Sequence, residues 1–360
     1  MEGPKIMNNR RFLAGLSFYL LAMLISNNCT AQEFYSVKSA NYWTSPIMDE
    51  GHAKNLAKYK LVIVDGENLT NNPECLKTLK SLNPNLKLIN YSNPIELYYP
   101  MAPFRPGQTS IENEIMEKYP QWLLKLSNGE NAIFFKNMIL LNMSSDCPRV
   151  NGKTCGEYMA EKQLKILNNP IWDGYFMDNG GRNISWVYLG KQYQIDANND
   201  GINDNPDTLD MKWEKGISDY LALISKGMKG KNLIIANKGS LDFLNQVNGR
   251  MFEKFPNNYL GDTRANGWYQ CMANAQKTGL YTIFMVNYED LSFGIASSLL
   301  TDNVYIAIDQ DNSGIHPELF VDLGKPLGIA MMNDTCYYRL YEKGKVEVYP
   351  EKRKGTIIKY

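Results

Sequence analysis

The stretch Ile171-Trp172-Asp173-Gly174-Tyr175-Phe176-Met177-Asp178-Asn179 decides the fold of this chain. It is an apolar run that ends in the carboxylate of Asp178, and Gly180 and Gly181 follow at once. In a parallel barrel, strands are apolar throughout and their carboxyl ends carry the side chains that meet the ligand. The stretch therefore predicts a parallel strand with Asp178 at its functional end.

Short apolar runs of this kind recur along the chain. The predicted strands are 35–41, 61–64, 87–90, 174–177, 233–236, 250–252, 281–286 and 304–308. The helix-like segments between them are 48–59, 73–81, 111–126, 156–167, 211–228, 241–246, 266–277 and 292–300. Strands that alternate with helices indicate a parallel sheet. Eight such units predict an α/β fold, a (β/α)8 TIM barrel. An open nucleotide-binding sheet is disfavoured because the Gly-x-Gly-x-x-Gly motif typical of that fold is absent after the first strand.

The two ends of the chain differ from the middle. Residues 1–31 have a basic start and a short apolar stretch, which predicts a cleaved signal peptide and an exported protein. Lipid anchoring at Cys29 is a second possibility for the same segment. Residues 336–360 alternate apolar and polar side chains around a Lys343-Gly344 turn, which predicts a small antiparallel β appendage. The barrel is then expected to span residues 32–335.

Composition excludes several classes of function. Basic and acidic residues number 38 each, so no charge excess favours nucleic acid or an anionic membrane as a partner. With two His residues and no Cys-x-x-Cys, a zinc or redox site is not expected, and no cofactor is predicted for the chemistry. Cys147 and Cys155 flank a turn-rich loop and are predicted to form a disulfide. We expect a monomer without a membrane span after signal cleavage.

Carboxylates follow several predicted strands. Glycoside hydrolysis uses two carboxyl groups, one as proton donor and the other as nucleophile or as activator of water. Asp178 and Glu253 end the fourth and sixth strands and are the predicted catalytic pair. Glu253 lies between Phe252 and Phe255, and an apolar neighbourhood of this kind raises a carboxyl pKa. Whether the pair retains or inverts the anomeric configuration depends on its spacing, and the sequence leaves both outcomes open.

Other polar and aromatic side chains near the strand ends suit a sugar ligand. An Asn side chain carries a donor and an acceptor together, as neighbouring sugar hydroxyls require. The predicted substrate-binding residues are Asp65, Asn90, Tyr91, Asn179, Asn237, Arg264 and Trp268.

The segment 196–207 has the ligand spacing of a calcium loop. Oxygen ligands at loop positions 1, 3, 5 and 9, a Gly at position 6 and a carboxylate at position 12 match that pattern. The predicted ligands are Asp196, Asn198, Asp200, the backbone carbonyl of Ile202, Asp204 and Asp207. A bound Ca²⁺ would be structural, and an Asn- and Asp-rich turn held by its own side chains is the alternative.

Taken together, these motifs resemble hypothetical glycosyl hydrolase family 15 and, more distantly, polygalactosaminidase-like barrels. The resemblance rests on 172–179, the acidic loop 196–204, 234–237, 249–253 and the tail 338–350. It implies a secreted carbohydrate-active TIM barrel. The expected function is hydrolysis of a glycosidic bond in a poly- or oligosaccharide. A non-catalytic glycan-binding barrel at the cell surface is the alternative, and a metal-dependent deacetylase or phosphodiesterase is a third hypothesis that the scarcity of His disfavours.

Overall fold

The computed structural model describes residues 36–98, 108–135, 137–230, 233–277, 281–311, 314–334 and 336–360. Eight parallel strands lie side by side in chain order. They are β1 (Ala40–Trp43), β2 (Leu61–Asp65), β3 (Lys87–Ser92), β4 (Gly174–Met177), β5 (Leu233–Asn237), β6 (Gly249–Phe252), β7 (Thr282–Val286) and β8 (Val304–Ile308). The backbone N–H of Ile306 donates to the carbonyl of Lys38 at 2.8 Å and links the last strand to the start of the first. The predicted TIM barrel is confirmed; the predicted signal peptide and Cys29 lie outside the described residues.

Helices cover the outside of this barrel. They are α1 (Glu50–Leu56), α2 (Asn68–Asn71), α3 (Pro73–Leu82), α4 (Gln108–Lys118), α5 (Cys155–Leu167), α6 (Pro206–Gly227), α7 (Trp268–Ala275) and α8 (Leu291–Leu299). The predicted helix at 241–246 is wrong, because residues 238–248 form turns between β5 and β6. None of the helices in the described ranges is long and apolar enough to cross a membrane.

The barrel strands point alternate side chains inward and outward. Ile63, Phe176 and Met251 belong to a cluster that fills the barrel interior, whereas Val62 and Val64 pack in a different cluster with the surrounding helices. Side chains two positions further along a strand share a face. Asp178 and Glu253, which follow Phe176 and Met251 by two residues, therefore project into the same barrel mouth.

Two excursions from the barrel build a wall beside this mouth. The segment Glu96–Tyr98 after β3 pairs antiparallel with Met138–Leu140. Lys125–Leu126 pairs antiparallel with Ile195–Asp196, which lies in the loop after β4. The long loops after β3 and β4 are thus joined to each other and pack with α5 and α6 around a second hydrophobic core.

A separate antiparallel sheet follows the barrel, as predicted for the tail. Its strands are β9 (Met331–Asn333), β10 (Cys336–Tyr341), β11 (Gly344–Tyr349) and β12 (Lys354–Lys359). The hydroxyl of Tyr341 donates to the carbonyl of Leu299 at 2.6 Å, and Arg353 donates to both carboxylate oxygens of Asp290. These contacts attach the sheet to α8 at both helix ends.

The predicted disulfide is wrong for this structure, in which Cys147 and Cys155 are free thiols. The backbone N–H of Cys155 donates to Sγ of Cys147 at 3.4 Å. Arg149 closes the same loop by donating to both carboxylate oxygens of Glu157, at 3.0 and 2.8 Å. The loop is therefore held without a covalent link. Burial raises the pKa of Cys147 to about 11, which keeps its thiol protonated and unreactive at neutral pH.

The contact between α6 and the excursion wall depends on Gly216. A Cβ at this position would lie 1.7 Å from the carbonyl oxygen of Met143. We expect Gly216→Ala to lower the free energy of unfolding by at least about 2 kcal/mol, because overpacking outweighs the better helix propensity of Ala. Gly156→Ala is the matched control, since its Cβ would meet only the flexible end of the Met143 side chain at 3.5 Å. Equal unfolding midpoints in urea for the two variants would contradict this expectation.

Candidate active site

Asp178 is fixed at the barrel mouth by three hydrogen bonds. Its Oδ2 accepts from the hydroxyl of Tyr91 at 2.7 Å. Its Oδ1 accepts from Nδ2 of Asn237 at 2.7 Å and from the backbone N–H of Asn179 at 2.8 Å. Asp178 remains half-buried rather than sealed, so the carboxylate is oriented and still in reach of solvent.

Asn237 joins the two predicted catalytic carboxylates. Its Nδ2 donates to Asp178 Oδ1 at 2.7 Å and to Glu253 Oε1 at 2.9 Å. Because both bonds meet at one nitrogen, the two oxygens lie no further apart than 2.7 plus 2.9 Å, that is 5.6 Å. Retaining glycosidases hold their carboxyl groups about 5–5.5 Å apart and inverting ones about 6.5–9.5 Å apart. The upper limit for these two oxygens is nearer to the retaining range than to the inverting range.

Glu253 lies in surroundings that favour its protonated form. Burial raises the pKa of Glu253, the nearby charges of Asp178 and Asp309 add to this, and the hydrogen bond from Asn237 opposes it. Phe252 beside it is buried. Glu253 itself is half-buried and lines an open cleft. A carboxyl group of this kind can keep a proton for a leaving group at a pH where ordinary Glu side chains have lost theirs.

Two tyrosines and Asp65 form the floor next to the pair. Burial raises the pKa of Tyr42 and that of Tyr91 well above the usual value, and the charge of Asp178 adds to both shifts. Both phenols therefore stay protonated, and Tyr91 can donate to Asp178 at any physiological pH. Asp65 is buried, and its Oδ1 accepts from the backbone N–H of Glu67 at 2.8 Å.

An open cleft of about 890 Å³ extends from Glu253 along the excursion wall. Asn179, Asn237 and Glu253 line its inner end. Trp186 and Tyr259 line it further out, with 52% and 67% of their surfaces exposed. Rings with an exposed face can stack on sugar rings, so the cleft joins Glu253 to a wall suited to carbohydrate, and Asn237 links this end of the cleft to Asp178.

Hypothetical glycosyl hydrolase family 15 matches residues 80–345, from α3 into β11. The chain belongs to this family. The matched region contains Asp178, Asn237 and Glu253, so the whole carboxylate pair lies within the part that defines the family. As a member of hypothetical glycosyl hydrolase family 15, the chain is a glycosidase.

Solved structures of similar fold include a maltogenic α-amylase from Thermotoga neapolitana, at 9% identity and a TM-score of 0.52, covering 88% of this chain and 86% of that one. An α-N-acetylgalactosaminidase from Bifidobacterium bifidum has 10% identity and a TM-score of 0.47, with 94% and 60% covered. A GH31 dextranase from Flavobacterium johnsoniae has 12% identity and a TM-score of 0.45, with 80% and 38% covered. At such identities the first of these shows a shared barrel fold and no more. No curated protein matches this family member in sequence.

Three of the predicted substrate-binding residues do not reach the cleft. Asn90 points out of the barrel, and its Oδ1 accepts from Gln163 of α5 at 2.6 Å. Trp268 is buried, and its Nε1 donates to Ser297 of α8 at 3.0 Å. Arg264 is exposed and pairs with Asp262 instead. Substrate binding by these three residues stays a prediction, whereas Tyr91, Asn179 and Asn237 gather around Asp178.

The sequence reading missed two residues close to the pair. Tyr42 is the last residue but one of β1; its ring lies 5.7 Å from that of Tyr91, and the charges of both Asp178 and Glu253 contribute to its raised pKa. Tyr42 lies two positions after Ala40, which faces into the barrel, so the two-residue period of a strand could have indicated that Tyr42 also faces inward. Glu96 lies in the excursion after β3, and its Oε2 accepts from Nδ2 of Asn179 at 2.9 Å. Only the fold brings Glu96 to this place, so no local pattern could have found it.

The acidic loop closes on its own backbone. The two carboxylate oxygens of Asp196 accept from the N–H groups of Asp200 and Gly201, at 3.0 and 2.7 Å. Asp204 accepts from the N–H of Ala197 at 2.8 Å, and burial raises its pKa, with Asp196 and Asp200 adding to the shift. Across the described ranges, no three His, Cys, Asp or Glu side chains are grouped to hold a metal ion. Calcium binding by Asp196, Asn198, Asp200, Ile202, Asp204 and Asp207 stays a prediction.

Proposed function

We propose that this protein is a retaining glycoside hydrolase in which Asp178 is the nucleophile and Glu253 the general acid and base. The observation that carries the proposal is the bridge through Asn237, which holds Oδ1 of Asp178 and Oε1 of Glu253 within 5.6 Å of each other. A separation of this size is close to the roughly 5–5.5 Å of retaining enzymes and below the roughly 6.5–9.5 Å that leaves room for the water used in inversion.

The different surroundings of the two carboxyl groups support this division of roles. Three hydrogen-bond donors surround Asp178, which suits a group that acts as an anion. Burial raises the pKa of Glu253, which suits a group that must begin the reaction protonated.

The reaction then proceeds in two displacements. A carboxylate oxygen of Asp178 bonds to the anomeric carbon while the bond from that carbon to the leaving oxygen breaks. Glu253 gives its proton to the leaving oxygen, and a covalent glycosyl-enzyme ester remains. Water then attacks the anomeric carbon, Glu253 takes a proton from this water, and the ester bond to Asp178 breaks. The enzyme regains its starting protonation, and the sugar keeps its original anomeric configuration.

The cleft supports a poly- or oligosaccharide as the substrate. Trp186 and Tyr259 line it in addition to Glu253, so it offers two aromatic faces besides the carboxyl group. Aromatic rings with an exposed face bury apolar area against a sugar ring, which suits chains that bind at several successive positions.

The proposal is tested by incubating the purified protein with a glycan panel and measuring new reducing ends. On a glycan that is cleaved, ¹H NMR of the first product should show the same anomer as the substrate. An inverted first product would contradict the nucleophilic role of Asp178. Saturable binding of a glycan with no product from any member of the panel would instead favour the non-catalytic glycan-binding alternative.

Export also belongs to the proposal, and its support is the basic and apolar composition of residues 1–31. In a bacterial host, the mature protein is expected outside the cytoplasm with Gln32 at its N-terminus. Edman sequencing or intact mass measurement checks this, and an intact N-terminus on an active cytoplasmic protein would contradict it.

A structural Ca²⁺ in the loop 196–207 is proposed from its ligand spacing. We expect millimolar calcium to raise the melting temperature, because an ion that binds only the folded state stabilises it by about 2.7 kcal/mol at 100 times its Kd. Asp200→Asn should remove this shift, and Asp207→Asn should reduce it. The same melting temperature with calcium and with EDTA would leave the loop as a turn held by its own hydrogen bonds.

A further inference from the structure

Glu96 is a buried carboxyl group beside the catalytic pair that the two displacements do not use. It lies in the strand Glu96–Tyr98 of the excursion wall, with 2% of its surface exposed. Its Oε2 accepts from Nδ2 of Asn93 at 2.6 Å and from Nδ2 of Asn179 at 2.9 Å. Its Oε1 is equally buried and has no hydrogen-bond partner among the described residues.

The buried carboxyl group of Glu96 lowers the stability of the fold. Burial raises the pKa of Glu96 to about 7, and the charge of Asp178 adds to the shift. An apolar side chain of similar size would avoid both the desolvation and the repulsion between two acids. A group that weakens folding in this way is more often found where function requires it.

Asn179 connects Glu96 to the nucleophile. Its backbone is left-handed, with φ at 53°. Its backbone N–H donates to Oδ1 of Asp178 at 2.8 Å, while its side chain donates to Glu96. The left-handed conformation is unfavourable for most residues with a side chain and persists when surrounding contacts hold it. Glu96 supplies such a contact from the excursion that follows the neighbouring strand β3.

We propose that Glu96 is a positioning residue, which holds Asn179 so that its backbone N–H fixes the carboxylate of Asp178. The inference rests on the proposed role of Asp178 as nucleophile. Glu96 touches no reacting atom; it acts through the one residue that follows the nucleophile. Losing it leaves Asp178 in place but lets its carboxylate rotate away from the line of attack.

The test uses Glu96→Leu and Glu96→Gln in the full chain, with 2,4-dinitrophenyl glycosides as probes. This leaving group needs no proton, so kcat/KM, which reports the first displacement, depends on the nucleophile rather than on Glu253 as an acid. A misplacement of about 1 Å can lower a rate by about 100-fold, so we expect kcat/KM of the Leu variant to fall by about 10- to 100-fold. Glu96→Gln keeps an acceptor for Asn179 and should recover most of the loss. Equal losses in the Leu and Gln variants would overturn the proposal.

A double variant shows whether the effect passes through Asn179. Asn179→Gly keeps the left-handed backbone accessible and removes the side chain that Glu96 holds. Adding Glu96→Leu to Asn179→Gly should then lower kcat/KM for the dinitrophenyl glycoside by less than threefold further. Losses that multiply instead would mean that Glu96 acts by another route.

A crystal structure of Glu96→Leu gives a readout that needs no substrate. We expect the bond from the Asn179 N–H to Asp178 to be broken or lengthened, and an unchanged bond would overturn the proposal. A wrong assignment of Asp178 as nucleophile would give a different result, because Asp178→Asn would then retain activity. An inactive Asp178→Asn together with a fully active Glu96→Leu would refute the positioning role alone.

Discussion

Asp178→Asn is expected to reduce kcat by roughly 10⁴-fold or more, because a neutral amide cannot form the glycosyl-enzyme ester. The substitution keeps the size of the side chain, and its oxygen can still accept from Tyr91 or Asn237. Folding should therefore change little, and the loss should appear in turnover rather than in melting temperature. Kinetics on a glycan identified by the reducing-end screen measures it.

Asp173→Asn is the matched control for this prediction. Asp173 precedes β4 at the opposite end of the same strand, where its Oδ2 accepts from Lys80 Nζ at 2.6 Å and from the N–H of Leu88 at 2.8 Å. Its loss should lower stability slightly and leave kcat unchanged, since the group lies at the barrel end away from the cleft. If Asp178→Asn kept more than a tenth of the wild-type rate, the nucleophile would have to be another group.

Glu253→Gln is expected to lower kcat by roughly 10²- to 10⁴-fold on natural glycans, the usual contribution of a general acid. The loss should be much smaller for the first step with a dinitrophenyl leaving group, which departs without a proton. A burst of dinitrophenol followed by slow turnover is expected, because the second step still needs a base. The absence of any leaving-group dependence would contradict the role of Glu253.

The pH profile gives a second readout for the same residue. Glu253 must be protonated to act, so activity is lost as pH rises through its pKa, and burial moves that point to higher pH than for an exposed Glu. Glu253→Gln carries no titrating proton and should lack this alkaline limb. A limb that remains in the variant would belong to a different group.

The barrel was predictable because its strands are buried on both faces and their apolar runs are continuous. The position of Asp178 and Glu253 was also predictable, since the carboxyl ends of the barrel strands all meet at the barrel mouth. Asn90 shows where this reasoning stops. It neighbours Tyr91 in the same strand, but successive side chains point to opposite faces, so one enters the site and the other meets Gln163.

Contacts between residues far apart in the sequence account for most of the other differences between the predicted and the observed structure. The antiparallel pairing of the two excursions joins segments that are about 40 to 70 residues apart, and no local periodicity encodes such pairing. Trp268 was expected at a subsite because aromatic rings bind sugars. It is buried instead, as large apolar side chains commonly are. Glu96 is the clearest case, since its importance depends on Asn179, a residue 83 positions later.

Asp178 and Glu253 directly follow β4 and β6, the strands that flank β5, and the Asn237 amide lies between their carboxylates. Their separation is consequently set by hydrogen-bonded main chain, which hardly stretches, and not by mobile loops. Under the proposed mechanism, the aromatic wall could change to accept a different sugar while the stereochemical outcome stayed the same. Conversion of the proposed retaining catalyst to an inverting one would require moving one acid to a more distant strand.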